Sequence, residues 1–106
     1  MKGSVNMDKV IALLYQIKER PGIYLEKKSL RHLKIFLNGY YIAQYEHDRD
    51  FCSLFDSFQN FIGQKYKENR TIGWADMILA HSQNDSSAFD TFFVLLEEYL
   101  FQYVSS

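Results

Sequence analysis

The feature that most limits what this chain can fold into is how little interrupts it. Its 106 residues contain one proline, Pro21, and only five glycines. A sandwich of short strands needs a turn about every 8–12 residues, and turns draw on Gly and Pro. This chain has too few of either, so long helices are the economical solution. Between the breaks, apolar residues recur at i, i+3, i+4 and i+7, the spacing of one helix face.

The first helix is expected from Met7 to about Glu19, capped by Asn6, with residues 1–5 a loose N-terminus. Val10, Leu13, Leu14 and Ile17 form its buried stripe. Pro21-Gly22 stops it, and Ile23-Tyr24-Leu25 reads as a short apolar connector. Ser29 is a good cap for a second helix, Leu30 to about His47, with Leu30, Leu33, Phe36, Leu37 and Tyr40 inward. At about 100° per residue, Ile35, Ile42 and Tyr45 project on the other side of that helix. It is therefore either central in the fold or offers one side to a partner. Gly39 in its interior costs roughly 1 kcal/mol relative to Ala, which a close helix–helix approach would justify.

A polar hinge at Glu46 to Asp50 precedes a third helix, about Asp50 to Tyr66, with Phe51, Phe55, Phe58 and Ile62 on one face. A short fourth helix is expected from Gly73 to about His81, with Trp74, Met77 and Ile78 inward. The last helix, about Ser86 to Tyr103, buries Phe89, Phe92, Phe93, Leu96, Leu100 and Tyr103. Ser87, Thr91, Glu98 and Gln102 form its wet face, and Asp90, Val94, Glu97 and Phe101 a stripe between the two. The fold class is all-α, a compact bundle of about five helices in a single domain. Aromatic residues make up 17% of the chain, enough bulk for a short sequence to fill a core.

One cysteine, Cys52, excludes a disulfide within the monomer and points to a reducing compartment. Residues 1–6 lack the apolar centre of a signal peptide, and no apolar run approaches the roughly 18 residues of a membrane span. A cytoplasmic location with no membrane contact is expected.

Charge is distributed unevenly. Residues 1–49 carry nine basic and five acidic residues, and residues 50–106 three basic and eight acidic. From Thr71 onward there is no Lys or Arg, against Asp76, Asp85, Asp90, Glu97 and Glu98. Such a segment disfavours nucleic acid and suits a basic protein partner. The basic group of Lys18, Arg20, Lys27, Lys28, Arg31 and Lys34 is either a phosphate-gripping patch or the mate of the acidic half.

No catalytic, cofactor or metal motif stands out. His47 lies between Glu46 and Asp48, but adjacent helical side chains diverge by about 100° and cannot converge on one ion. Asp48-Arg49-Asp50 opens like a calcium loop, yet Phe51, Cys52 and Leu54 occupy the positions where oxygen ligands are needed. There is no glycine-rich phosphate loop and no nucleophile motif around any serine. An enzyme is not expected.

Two segments resemble a known group. One is Arg20-Pro21-Gly22-Ile23-Tyr24-Leu25, leading through Lys28-Ser29-Leu30 to Phe36-Leu37-Asn38-Gly39-Tyr40. The other is Trp74-Ala75-Asp76-Met77-Ile78-Leu79, leading to Ala88-Phe89-Asp90-Thr91-Phe92-Phe93 and Leu96-Glu97-Glu98-Tyr99. Over roughly residues 15–100 the chain resembles the small helical immunity proteins of contact-dependent growth inhibition, the CdiI type. The resemblance implies a cytoplasmic antitoxin that binds the toxin domain encoded beside it and blocks its active site. Many such toxins are nucleases, whose phosphate-holding clefts are basic.

The expected partner is thus a basic toxin domain, with Asp76, Asp85, Asp90, Glu97 and Glu98 as acidic contacts and Phe101 as an apolar anchor. The chain itself is expected to be a monomer or weak homodimer. The competing readings are a self-associating scaffold using Ile35, Ile42 and Tyr45, and a nucleic-acid regulator using the Lys18–Lys34 region.

Overall fold

The computed structural model describes the backbone of residues 2–47 and 54–105 and the side chains of residues 9–47 and 54–102. Every regular element among them is a helix: α1 (Lys2–Glu19), α2 (Pro21–Leu25), α3 (Leu30–His47), α4 (Leu54–Lys65), α5 (Trp74–Ala80) and α6 (Asp85–Ser105). The all-α bundle read from periodicity is the fold found.

Two boundaries differ from expectation. The connector Ile23-Tyr24-Leu25 is helical, and Pro21 is the reason. The proline pushes Arg20 out of the helical region, to φ −136° and ψ 65°, which ends α1. It then occupies the first turn of α2, where its missing N–H is not needed. One residue both stops a helix and starts the next. At the other end α1 reaches back to Lys2, so Asn6 lies inside it rather than capping it. Gly3, Ser4 and Asn6 are weak helix formers, but none blocks the helical hydrogen bond as proline does. The expected start of the third helix, with Phe51 and Cys52, lies outside the described residues, as does the Asp48-Arg49-Asp50 segment.

Several of the other described ends are capped. Ser29 Oγ accepts from the His32 N–H at 3.0 Å, the N-cap expected for α3. Asn84 and Ser87 cap α6 reciprocally: the Ser87 N–H donates to Asn84 Oδ1 at 2.8 Å, and the Asn84 N–H to Ser87 Oγ at 3.1 Å. At α5 the cap comes from a different helix. Gln59 of α4 accepts the Trp74 N–H at 2.7 Å and donates to the Ile72 carbonyl at 2.8 Å, clipping the incoming loop to α4. Just past the end of α4, Lys67 adopts φ 53°, and the Glu68 N–H donates back to the Gly63 carbonyl at 2.9 Å.

The core is organised around α6. Ala88, Phe89, Phe92, Phe93, Leu95, Leu96 and Tyr99 are all buried. Leu95 and Tyr99 lie outside the expected stripe, and the Tyr103 side chain lies outside the described residues. Ser87, Thr91 and Glu98 are half-buried rather than wet. α6 is covered on most of its circumference because α3, α4 and α5 all pack on it. Phe58 sits at the hub of an aromatic cluster, with ring centroids 5.5 Å from Trp74 and 5.6 Å from both Phe92 and Tyr99, all edge-on. The Tyr99 hydroxyl hydrogen-bonds Ser57 of α4, so the cluster's one phenol is satisfied.

Candidate protein-binding surface

On a helix covered so thoroughly, the part left bare is informative. Asp90, Val94, Glu97 and Phe101 recur at i, i+4, i+7 and i+11, and all four are exposed. Val94 is 64% and Phe101 74% exposed, while the buried Phe93 and Leu96 fill the core behind them. The stripe predicted between the wet and buried faces is therefore the outer face of α6.

The acidic residues of this stripe are not bare charges. Lys28 donates to Asp90 at 2.7 Å from the segment before α3. Lys18 of α1 reaches Glu97 at 3.4 Å, and the Tyr15 hydroxyl donates to the same oxygen at 3.4 Å. Lys18 Nζ also lies 5.6 Å from the ring centroids of Tyr15 and Phe93. Burial, then the charge and hydrogen bond of Glu97, push the Tyr15 phenol above its ordinary 10.0, so it remains a donor at neutral pH. The surface alternates apolar residues with ion pairs: Lys28–Asp90, Val94, Lys18–Glu97–Tyr15, Phe101.

The other acids expected to share this surface point elsewhere. Asp85 opens α6 but turns toward α3. It accepts from the buried Ser29 hydroxyl at 2.5 Å and from the Arg31 N–H at 3.1 Å. Desolvation would raise its pKa, but these hydrogen bonds and the Arg31 charge together outweigh it and hold the carboxyl below its ordinary 3.8. Asp85 ties the starts of α3 and α6 together. Glu98 pairs with Lys65 of α4. Asp76 is exposed in the first turn of α5, with no ion pair among the described residues. Only Asp90, Glu97 and Phe101 of the six expected contacts share one stripe.

Lys18 and Lys28 belong to the basic N-terminal group, so part of that group is the mate of the acidic half. Sequence reasoning missed Tyr15, Lys18 and Lys28 as members of the α6 surface. Their partners lie 62 to 82 residues away, and no local spacing signals that.

A surface cleft of about 580 Å³ lies where α4 runs into the loop before α5, lined by Gln59, Gln64, Lys67, Glu68 and Arg70. Its one acid is already engaged. Arg70 donates to Glu68 through Nε at 2.9 Å, a second guanidinium nitrogen at 3.0 Å and its own N–H at 3.1 Å. The Arg70 side chain and backbone hydrogen bonds hold the Glu68 carboxyl at about 2, so it stays ionised at neutral pH. His81 is stacked on Tyr66 at 4.1 Å and bonds the Met77 carbonyl, and His32 bonds the Leu25 carbonyl. Among the described residues no group of three or more His, Cys, Asp or Glu side chains is placed to hold a metal ion, and no helix is long and apolar enough to cross a membrane.

Comparison with protein-family models, curated proteins and solved structures finds no match to this chain.

Proposed function

We propose that this chain is an antitoxin, an immunity protein of the contact-dependent growth-inhibition type, which binds the toxin domain encoded beside it through the outer stripe of α6. The observation that carries the reading is the exposure of Val94 and Phe101 on the most deeply packed helix of the bundle. Two large apolar side chains in line, each flanked by charged groups, have the make-up of a protein interface: apolar centre, polar rim.

The ion pairs around them favour exchange of partners. Lys18 and Glu97 are 44% and 55% exposed, and Lys28 and Asp90 are comparably open. Pairs this open are worth about 0–1 kcal/mol, so the free protein holds them cheaply. A basic nuclease surface would take Asp90 and Glu97 from their lysines while Val94 and Phe101 are covered. The partner's cations then contribute association rate and register more than raw affinity. Inhibition results from occlusion of the phosphate-binding cleft.

The test is protection in cells. Bacteria induced to make the adjacent toxin domain should survive when this chain is co-expressed. The Val94→Asp, Phe101→Asp double variant should lose protection while keeping its helical circular dichroism and Tm. Reversing Asp90 and Glu97 to Lys should also weaken protection without unfolding α6. Full protection by the Val94/Phe101 variant would mean that α6 is not the face used.

A further inference from the structure

The outer face of α3 is a second exposed apolar surface, and the α6 reading leaves it unused. Ile35 and Ile42 are 69% and 58% exposed. Ile35 also borders a shallow groove of about 360 Å³ shared with Tyr24, Leu25, His32 and Phe36. Gly39 lies between the two isoleucines, and a Cβ there would meet nothing within 4 Å. The close helix approach that would justify this glycine does not occur among the described residues.

The order of side chains along this face is symmetric in size and opposite in charge. Ile35 and Ile42 stand equally far from the point between Asn38 and Gly39, and so do Arg31 and Glu46. At 100° per residue all six fall within an arc of about 100°. The Arg31 guanidinium and the Glu46 carboxylate form no ion pair among the described residues. This contrasts with α6, where Asp90 and Glu97 are both paired within the chain.

We propose that this face docks a second copy of the chain, α3 against α3, antiparallel about a two-fold axis passing between Asn38 and Gly39. A two-fold contact pairs residue i with j and j with i. Here it sets Ile35 of each copy against Ile42 of the other, and Arg31 of each against Glu46 of the other. Gly39 at the axis removes side-chain bulk where the helices cross, permitting an approach at the near end of the usual 8–10 Å separation. The antiparallel arrangement also opposes the two helix dipoles favourably. One helix pair covers less than the roughly 1,200 Å² of a stable interface, so the dimer is weak and depends on concentration. The inference is independent of the antitoxin reading, because it uses no residue of the α6 stripe.

Sedimentation equilibrium of the full chain, over roughly 10 μM to 1 mM, tests it. The apparent mass should rise from the monomer's 12.6 kDa toward the dimer's as concentration increases. Arg31→Glu places four acids at the contact and Glu46→Arg four bases, so each variant alone should associate at least tenfold more weakly. An equimolar mixture of the two should recover the dimer, since both cross-pairs are again of opposite sign. Gly39→Leu, which favours the helix, should keep the chain folded and abolish association. A monomer mass at every concentration would overturn the proposal. So would a dimer indifferent to both charge reversals, or a mixture that stays monomeric.

Discussion

The outer faces of α3 and α6 both expose large apolar side chains, yet their charges are arranged in opposite ways. On α6, Asp90 and Glu97 find lysines from distant parts of the same chain. On α3, Arg31 and Glu46 stand apart on one helix and form no ion pair among the described residues, although the Arg31 charge acts on Asp85. Exposure alone does not separate the two surfaces, and charge pairing does. A surface that neutralises itself stays quiet until a partner of sufficient positive charge competes for its acids. A surface whose two charges of opposite sign are held apart on one helix is complementary to its own reverse. Segregating net charge along the sequence is therefore not the same as presenting a field: the Lys- and Arg-free tail is largely compensated by Lys18, Lys28 and Lys65.

Three substitutions sharpen that contrast. The largest effect is expected at Asp85, the acid of α6 that serves the fold. Asp85→Ala removes a charged acceptor from the buried Ser29 hydroxyl and the Arg31 N–H. It should cost about 2 kcal/mol in urea unfolding at neutral pH. Because the folded-state pKa of Asp85 lies below its unfolded value, its contribution is fully present above 3.8 and fades as the pH falls through the folded pKa. The gap between wild type and variant should therefore narrow below pH 3.8. A variant as stable as wild type would place Asp85 among the exchangeable acids instead.

The next effect has the opposite sign. Gly39→Ala adds a methyl where the described residues offer no neighbour within 4 Å, so only helix propensity changes. Stability of the dilute monomer should rise by about 0.5–1 kcal/mol. A loss would show that α3's outer face packs against something within the chain, and the contrast with α6 would fail. The smallest effect is expected at Lys28→Ala, which opens the pair with Asp90 and should cost under about 1 kcal/mol. A cost above about 2 kcal/mol would mean that Asp90 is not available to a partner.

Local pattern carried much of this molecule. On the expected face of α4, Phe58 and Ile62 are buried and Phe55 half-buried, Ser29 caps α3, and Ile35, Ile42 and Tyr45 face outward, because each depends only on helical periodicity or on neighbours three residues away. What periodicity could not supply was anything decided by a second element. Pro21 reads as a stop signal; that the segment after it is helical goes with the burial of Leu25 and the half-burial of Tyr24 against the core, which a lone apolar triplet does not reveal. Leu95 and Tyr99 are buried because three helices close around α6, which its own pattern cannot reveal. The acidic contacts were chosen by net charge over a segment. Pairing through Lys18, Lys28 and Ser29 then divided them into a stripe and a structural tie, and that division exists only once α1, α3 and α6 meet.

The central claim is that the outer stripe of α6, and not that of α3, binds the toxin. Isothermal titration of the adjacent toxin domain with three forms of this chain tests it directly: wild type, Val94→Asp with Phe101→Asp, and Ile35→Asp with Ile42→Asp. Tight binding is expected of the wild type and the α3 variant, and affinity at least 100-fold weaker of the α6 variant, about 2.7 kcal/mol. Equal affinity for the α6 variant and the wild type, or loss confined to the α3 variant, would contradict the claim.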